Sequence, residues 1–216
     1  MKLFLCSLVW TPAAPIMQTF YVNDYWMPEY LVRFEVGMMV FGIEDFLFAF
    51  TVAGIVAAVF DLTLRKLGCM VSNRIHLGGY LKLQLLGIAC PLLLGALMYV
   101  LSLNSVHATV LFCLIGATII LWQRNHDQWL VAAGFTAAVA AVGFWAFYQM
   151  FFLSLFPTLF VDYWYAEALS GLNLGDVPAE EIAWAAGIGL FLGPIGSHCL
   201  GPMRSVPRGG TPVLEK

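Results

Sequence analysis

The chain has 216 residues, of which 61% are hydrophobic and 11% charged, with a formal net charge of −3 and a mean hydropathy of +0.85. Soluble domains carry about 25% charged residues, so the composition excludes an ordinary water-soluble domain and predicts one integral membrane domain over 1–216. No basic stripe is present, which excludes nucleic acid as a partner. Cys6, Cys69, Cys90, Cys113 and Cys199 form no CxxC and no metal-like spacing, and read as buried free thiols.

At the N-terminus, Lys2 precedes an apolar run to Trp10, and small residues follow at Ala13–Ala14. This resembles a short signal peptide, but apolar character resumes at Ile16 and Met17, and the stretch reads better as a short, Pro-interrupted first span. The fold class expected is all-α, a polytopic transmembrane helix bundle of about six spans, near 3–20, 34–62, 78–101, 106–122, 129–157 and 177–200. With six spans, Lys2, then Arg65, Lys66 and Arg74, then Arg124, then Arg204, Arg208 and Lys216 all fall on one side. By the positive-inside rule that side is cytoplasmic, giving a multi-pass plasma or inner membrane protein with both termini inside. The opposite loops carry Asp24, Glu29, Glu35, Asp162, Glu167 and Asp176, with Arg33 as their only base. Lys82, near the start of the third span, can snorkel to the cytoplasmic side. Ser102-Leu103-Asn104-Ser105 reads as a tight turn, and the Pro- and Gly-rich tail, 201–216, as disordered.

An internal repeat is visible. Asp24-Tyr25-Trp26-Met27-Pro28-Glu29-Tyr30-Leu31 and Asp162-Tyr163-Trp164-Tyr165-Ala166-Glu167-Ala168-Leu169 share Asp-Tyr-Trp-x-x-Glu-x-Leu. Each block precedes an acidic pair in an apolar span: Glu44-Asp45 in the first repeat, 20–62, and Glu180-Glu181 in the second, 158–200. The repeats lie four spans apart and so run in parallel, which predicts a pseudo-two-fold axis along the membrane normal and a site where they face each other. The intervening spans, 63–128, have no counterpart.

Charge inside a span is expensive and marks a functional site by default. Adjacent helical residues point about 100° apart, so within each pair one acid can face a substrate while its neighbour bonds another helix. Phe41, Glu44, Phe48 and Thr51 form one stripe; Glu181 and Trp184 form another, with Glu180 and Gly187 beside it. An acid flanked by aromatic rings suits carbocation chemistry: a carboxyl in an apolar pocket keeps its proton, and the rings stabilise the cation without quenching it. Glu44 and Glu181 are the expected proton-transfer acids, with Asp45 and Glu180 in support. Asp176 as N-cap and Pro178 in the first turn would start the last helix. Trp26 and Trp164 are further substrate-binding candidates. Asp24 and Asp162 are secondary candidates that could equally be loop caps. Asp61 and Arg65 read as a surface pair at a span end. His76, His107, His126 and His198 show no ligand spacing, so no metal is expected. Gly187-x-Gly189-x-x-x-Gly193 is no dinucleotide fingerprint, and its last two glycines fit small-xxx-small helix packing. No cofactor is expected.

These motifs resemble those of the small membrane lycopene cyclases, in which two related halves, separate or fused as in the heterodimeric type, each carry a Pro-x-Glu-Glu/Asp motif. Pro178-Ala179-Glu180-Glu181 keeps that pattern, whereas Gly42-Ile43-Glu44-Asp45 has Gly in place of Pro. The resemblance covers about 20–60 and 160–200. It implies an intramolecular lyase or isomerase of carotenoid biosynthesis that closes end rings on a linear carotenoid by protonation and deprotonation, without net redox change. Integral-membrane terpene cyclases are the second resemblance, with the same logic on another isoprenoid. The competing readings are a non-catalytic carotenoid- or quinone-binding subunit and a small proton-coupled transporter. The partners expected are a hydrophobic isoprenoid entering from the bilayer and membrane lipids; association into a homo-oligomer is left open.

Overall fold

The computed structural model describes residues 2–70, 76–124, 126–200 and 204–205. It is an all-α bundle. Two short helices, α1 (Lys2–Trp10) and α2 (Ala13–Asp24), meet at a 42° bend around Thr11-Pro12, so the first span is Pro-interrupted as expected. Then follow β1 (Arg33–Val36), β2 (Met39–Gly42), α3 (Ile43–Lys66), β3 (Cys69–Met70), α4 (Leu77–Leu101), α5 (Ser105–Arg124) and α6 (Asp127–Phe147). A π-helical turn, Tyr148–Phe152, continues α6 into α7 (Leu153–Leu155); α8 (Leu159–Tyr163), β4 (Asn173–Leu174), β5 (Val177–Pro178), α9 (Ala179–Leu200) and β6 (Arg204–Ser205) complete the order. Among the described residues five helices are long and apolar enough to cross a membrane, or six if the bent α1–α2 pair counts as one span.

Three details differ from the sequence reading. The second span starts at Ile43, not near residue 34, because the apolar run before it is a hairpin: β1 and β2 pair antiparallel, and Gly37 turns between them at φ +63°. Phe41 therefore lies on a strand and not on a helical stripe with Glu44, and Glu44 and Asp45 sit in the first turn of α3 rather than inside the span. A second hairpin, β4–β5, turns at Gly175 (φ +65°) and leads straight into α9. Asp176 is thus a turn residue and Pro178 a strand residue, not the cap and first turn of the last helix. Asp61 is buried instead of pairing with Arg65 on the surface: its carboxylate takes the Lys2 ammonium at 2.8 Å and the Ser197 hydroxyl at 2.5 Å. The expected disordered tail lies outside the described residues except Arg204–Ser205, whose backbone pairs with Cys69–Met70.

The helix ends sort by charge. Lys2, Asp61 and Ser197 join the start of α1 to the ends of α3 and α9. At the same end Arg124 bonds the His198 ring and carbonyl and lies 4.9 Å over the Trp129 ring, while Lys82 bonds His198 at 3.1 Å. Both acidic pairs, Asp24 and the two aromatic blocks lie at the other end.

α9 is the central element, with half of its apolar window buried against 17% for α6. Without a hydrophobic drive between helices in lipid, close approach of small residues holds them together. α9 packs on α6, where a Cβ on Gly189 would stand 2.8 Å from the Thr136 carbonyl oxygen and 3.0 Å from the Ala137 Cα. A Cβ on Gly193 would stand 3.1 Å from Thr136 Cγ2 and 3.4 Å from Phe60 Cβ. Gly189→Ala is therefore expected to lower stability by about 1–3 kcal/mol through overpacking. Gly134→Ala, which opens into free space, should be neutral or gain up to about 1 kcal/mol from helix propensity. Thermal unfolding of both variants in detergent checks this.

Candidate functional site

The two Asp-Tyr-Trp blocks meet. Trp26 and Trp164 form an antiparallel backbone bridge, flanked by the Met27 N–H donating to the Tyr163 carbonyl (2.7 Å) and the Tyr165 N–H to the Tyr25 carbonyl (3.0 Å). Their indole rings lie 5.5 Å apart. This joint brings side chains from both blocks over the head of α9.

Glu181 is 6% exposed. Its Oε1 accepts the Tyr25 hydroxyl at 2.7 Å and the Trp164 Nε1–H at 2.9 Å, and the ring of Tyr148, in the π-helical turn, lies 6.4 Å from that of Trp164. Such turns occur mostly as single interruptions of α-helices, often at functional sites. Burial, reinforced by the adjacent Glu181 charge, pushes the Tyr25 phenol well above its ordinary value, so it remains a donor.

The other acids follow a parallel pattern. Glu44 Oε1 accepts the Leu31 N–H at 2.8 Å, and Glu180 Oε1 accepts the Ser170 N–H at 2.6 Å. In both, Oε2 is buried with no protein partner. Asp45 Oδ2 takes the Gly42 N–H at 2.8 Å, capping α3. The first acid of each pair thus keeps one buried oxygen without a protein partner.

Aromatic rings surround this end. Trp184 stacks on Phe48 at 5.9 Å and lies 5.5 Å from Phe144; Phe144 leads to Tyr148, and Tyr148 to Phe160 and Trp164. The Trp184 Nε1–H donates to the Tyr21 hydroxyl, which bonds Thr109 Oγ1 of α5 at 2.6 Å. Phe41 stacks on Phe34 in the first hairpin and meets Phe46 edge-on, apart from Trp184 and Phe48. The secondary candidates are local ties. Asp24 accepts the Ser105 N–H and hydroxyl at the start of α5, and Asp162 accepts the Thr158 hydroxyl beside α8.

The structure thus gathers Glu181, Trp184, Trp26, Trp164 and Phe48 into one connected set. Tyr21, Tyr25, Phe144 and Tyr148 belong to it and were not singled out from the sequence. The signal was there: Tyr21 and Tyr25, at the end of the first span, and Phe144 and Tyr148, within the fifth, are aromatic pairs at i, i+4. Among the described residues, no group of three or more His, Cys, Asp or Glu could hold a metal ion.

Comparison with known protein families matches residues 104–197 to the lycopene cyclase family. The matched stretch runs from the start of α5 through most of α9 and includes Asp162, Trp164, Glu180, Glu181 and Trp184; Glu44 and Asp45 lie outside it. No curated protein and no solved structure matches the chain.

Proposed function

We propose that this chain, whose residues 104–197 match the lycopene cyclase family, closes six-membered end rings on a linear carotenoid by proton transfer. The observation that carries the reading is Glu181, a buried carboxyl held by phenol and indole donors inside a cluster of aromatic rings. A proton delivered to the terminal double bond creates a cation. The next double bond captures it, and loss of a proton sets the ring alkene. The faces of Trp184, Phe48 and Phe144 suit the passing cation. Rigid helix heads hold Glu44, Asp45, Glu180 and Glu181, so the charged partners are in place before the substrate arrives. The reaction is an isomerisation, and neither flavin nor nicotinamide enters its balance. The substrate is already dissolved in the bilayer and enters laterally. A membrane cyclase of another isoprenoid would use the same groups.

In a cell that accumulates lycopene, co-expression is expected to turn red pigment yellow, with monocyclic or bicyclic product on chromatography; unchanged lycopene contradicts the reading. Glu44→Gln and Glu181→Gln are each expected to lower product per folded protein by at least about 100-fold, since Gln keeps the size but carries no proton. Near-normal activity in both would overturn the acid–base mechanism.

The basic end of the bundle is the cytoplasmic one in this reading, with the acidic pairs near the outer face. Reporter fusions after Trp129 and at the C-terminus are both expected to report cytoplasm; an external C-terminus contradicts it.

A further inference from the structure

Three basic side chains from three helices converge at the end of the bundle opposite the acidic pairs: Lys82 of α4, Arg124 of α5 and His198 of α9. Arg124 Nε donates to His198 Nδ1 at 3.0 Å, and its Nη2 donates to the His198 carbonyl at 2.6 Å. Lys82 Nζ lies 3.1 Å from His198 Nε2. The buried cation at the same end, Lys2, has a carboxylate partner in Asp61. Among the described residues, no carboxylate pairs with Lys82 or Arg124.

Donors outnumber acceptors around the His198 ring. A neutral imidazole has one acceptor nitrogen and one N–H, and a guanidinium only donates. Arg124 therefore takes the acceptor, Nδ1, and the ring hydrogen sits on Nε2. There it faces the Lys82 ammonium, which also only donates. Protonating the ring would set a third donor against Arg124. The 3.1 Å contact between Lys82 and His198 is completed by a negatively charged acceptor that both can reach.

The surroundings say what carries that acceptor. Leu81 and Leu85, beside Lys82 on α4, are exposed, and so is Trp122, two residues before Arg124 on α5. Both helices are long and apolar enough to cross a membrane; Lys82 stands in the second turn of α4, and Arg124 is the last residue of α5. This is the headgroup level, where exposed tryptophan is enriched and where basic pockets between spans hold anionic lipid headgroups.

We propose that Lys82, Arg124 and His198 form a binding site for a phosphate group, in which one anionic oxygen accepts from both His198 Nε2–H and Lys82 Nζ while Arg124 fixes the tautomer of the ring. The exposed apolar neighbours point to an anionic phospholipid as its source, with the phosphate at the cluster and the acyl chains along Leu81 and Leu85. The site stands apart from the acidic end and does not depend on the cyclase reading.

The test is thermal unfolding of the purified full chain in detergent with phosphatidylglycerol, with phosphatidylcholine and with inorganic phosphate at matched ionic strength, beside native mass spectrometry of retained lipid. Phosphatidylglycerol is expected to raise the unfolding midpoint and phosphatidylcholine to leave it unchanged. Lys82→Gln, at an exposed position, should weaken retention of phosphatidylglycerol about fivefold and leave the lipid-free midpoint where it was. Lys66→Gln removes the same charge from an exposed position at the same end and should change neither. No preference for phosphatidylglycerol overturns the proposal. Equal weakening by Lys82→Gln and Lys66→Gln also overturns it, since a diffuse surface charge would then suffice. A lowered lipid-free midpoint in Lys82→Gln with unchanged retention does so too, and leaves Lys82 as a tie between helices. Stabilisation by inorganic phosphate that Lys82→Gln removes keeps the phosphate site and assigns it a soluble ligand in place of the lipid.

Discussion

A carboxyl buried at the head of a membrane helix needs donors, and Glu181 is where this fold meets that demand. Leaving such a group without partners costs several kcal/mol. Its donors are far apart in the chain: Tyr25 follows α2 and Trp164 follows α8. To reach one carboxyl, the two aromatic blocks must lie side by side, and the backbone bridge between Trp26 and Trp164 holds them there. The other rings at this end, Phe160 against Trp164 and Phe144 between Tyr148 and Trp184, pack around that joint. The same contacts that satisfy the acid build its aromatic surroundings.

The molecule separates tasks along its length. At one end Lys2, Lys82 and Arg124 tie helix ends together through Asp61, Ser197 and His198. In the middle, Gly189 brings α9 against the α6 backbone, and Gly193 lets it close on the side chains of Thr136 and Phe60. At the far end both acidic pairs stand on first helical turns, each reached through a short hairpin with a positive-φ glycine, Gly37 or Gly175. Both pairs are thereby mounted on helix heads rather than on loops, which favours precise placement of side chains.

Much of the bundle was legible because length and hydropathy dictate spans. The edges of α4, α5 and α9 fall within a few residues of the expected ones, and the small-residue role of Gly189 and Gly193 followed from spacing alone. The hairpin before α3 was misread because Val36 to Gly42 is apolar, and apolarity alone does not distinguish strand from helix. Gly37 was the missed punctuation. Asp61 was read as a surface group because its nearby cation, Arg65, is local, while its actual partners are Lys2 and Ser197. The four acids and Trp184 were legible as charge and aromaticity in the wrong solvent. Which oxygen of each acid stays open was not, because it depends on backbone N–H groups of Leu31 and Ser170 in loops that only the fold brings near.

The central claim is that ring closure begins with a proton from a carboxyl group that exchanges with solvent. Conversion of lycopene by the purified full chain in heavy water, with mass analysis of the product, tests it directly. The account predicts one deuterium incorporated per ring closed, at the carbon that receives the proton. Rings formed without deuterium would contradict it.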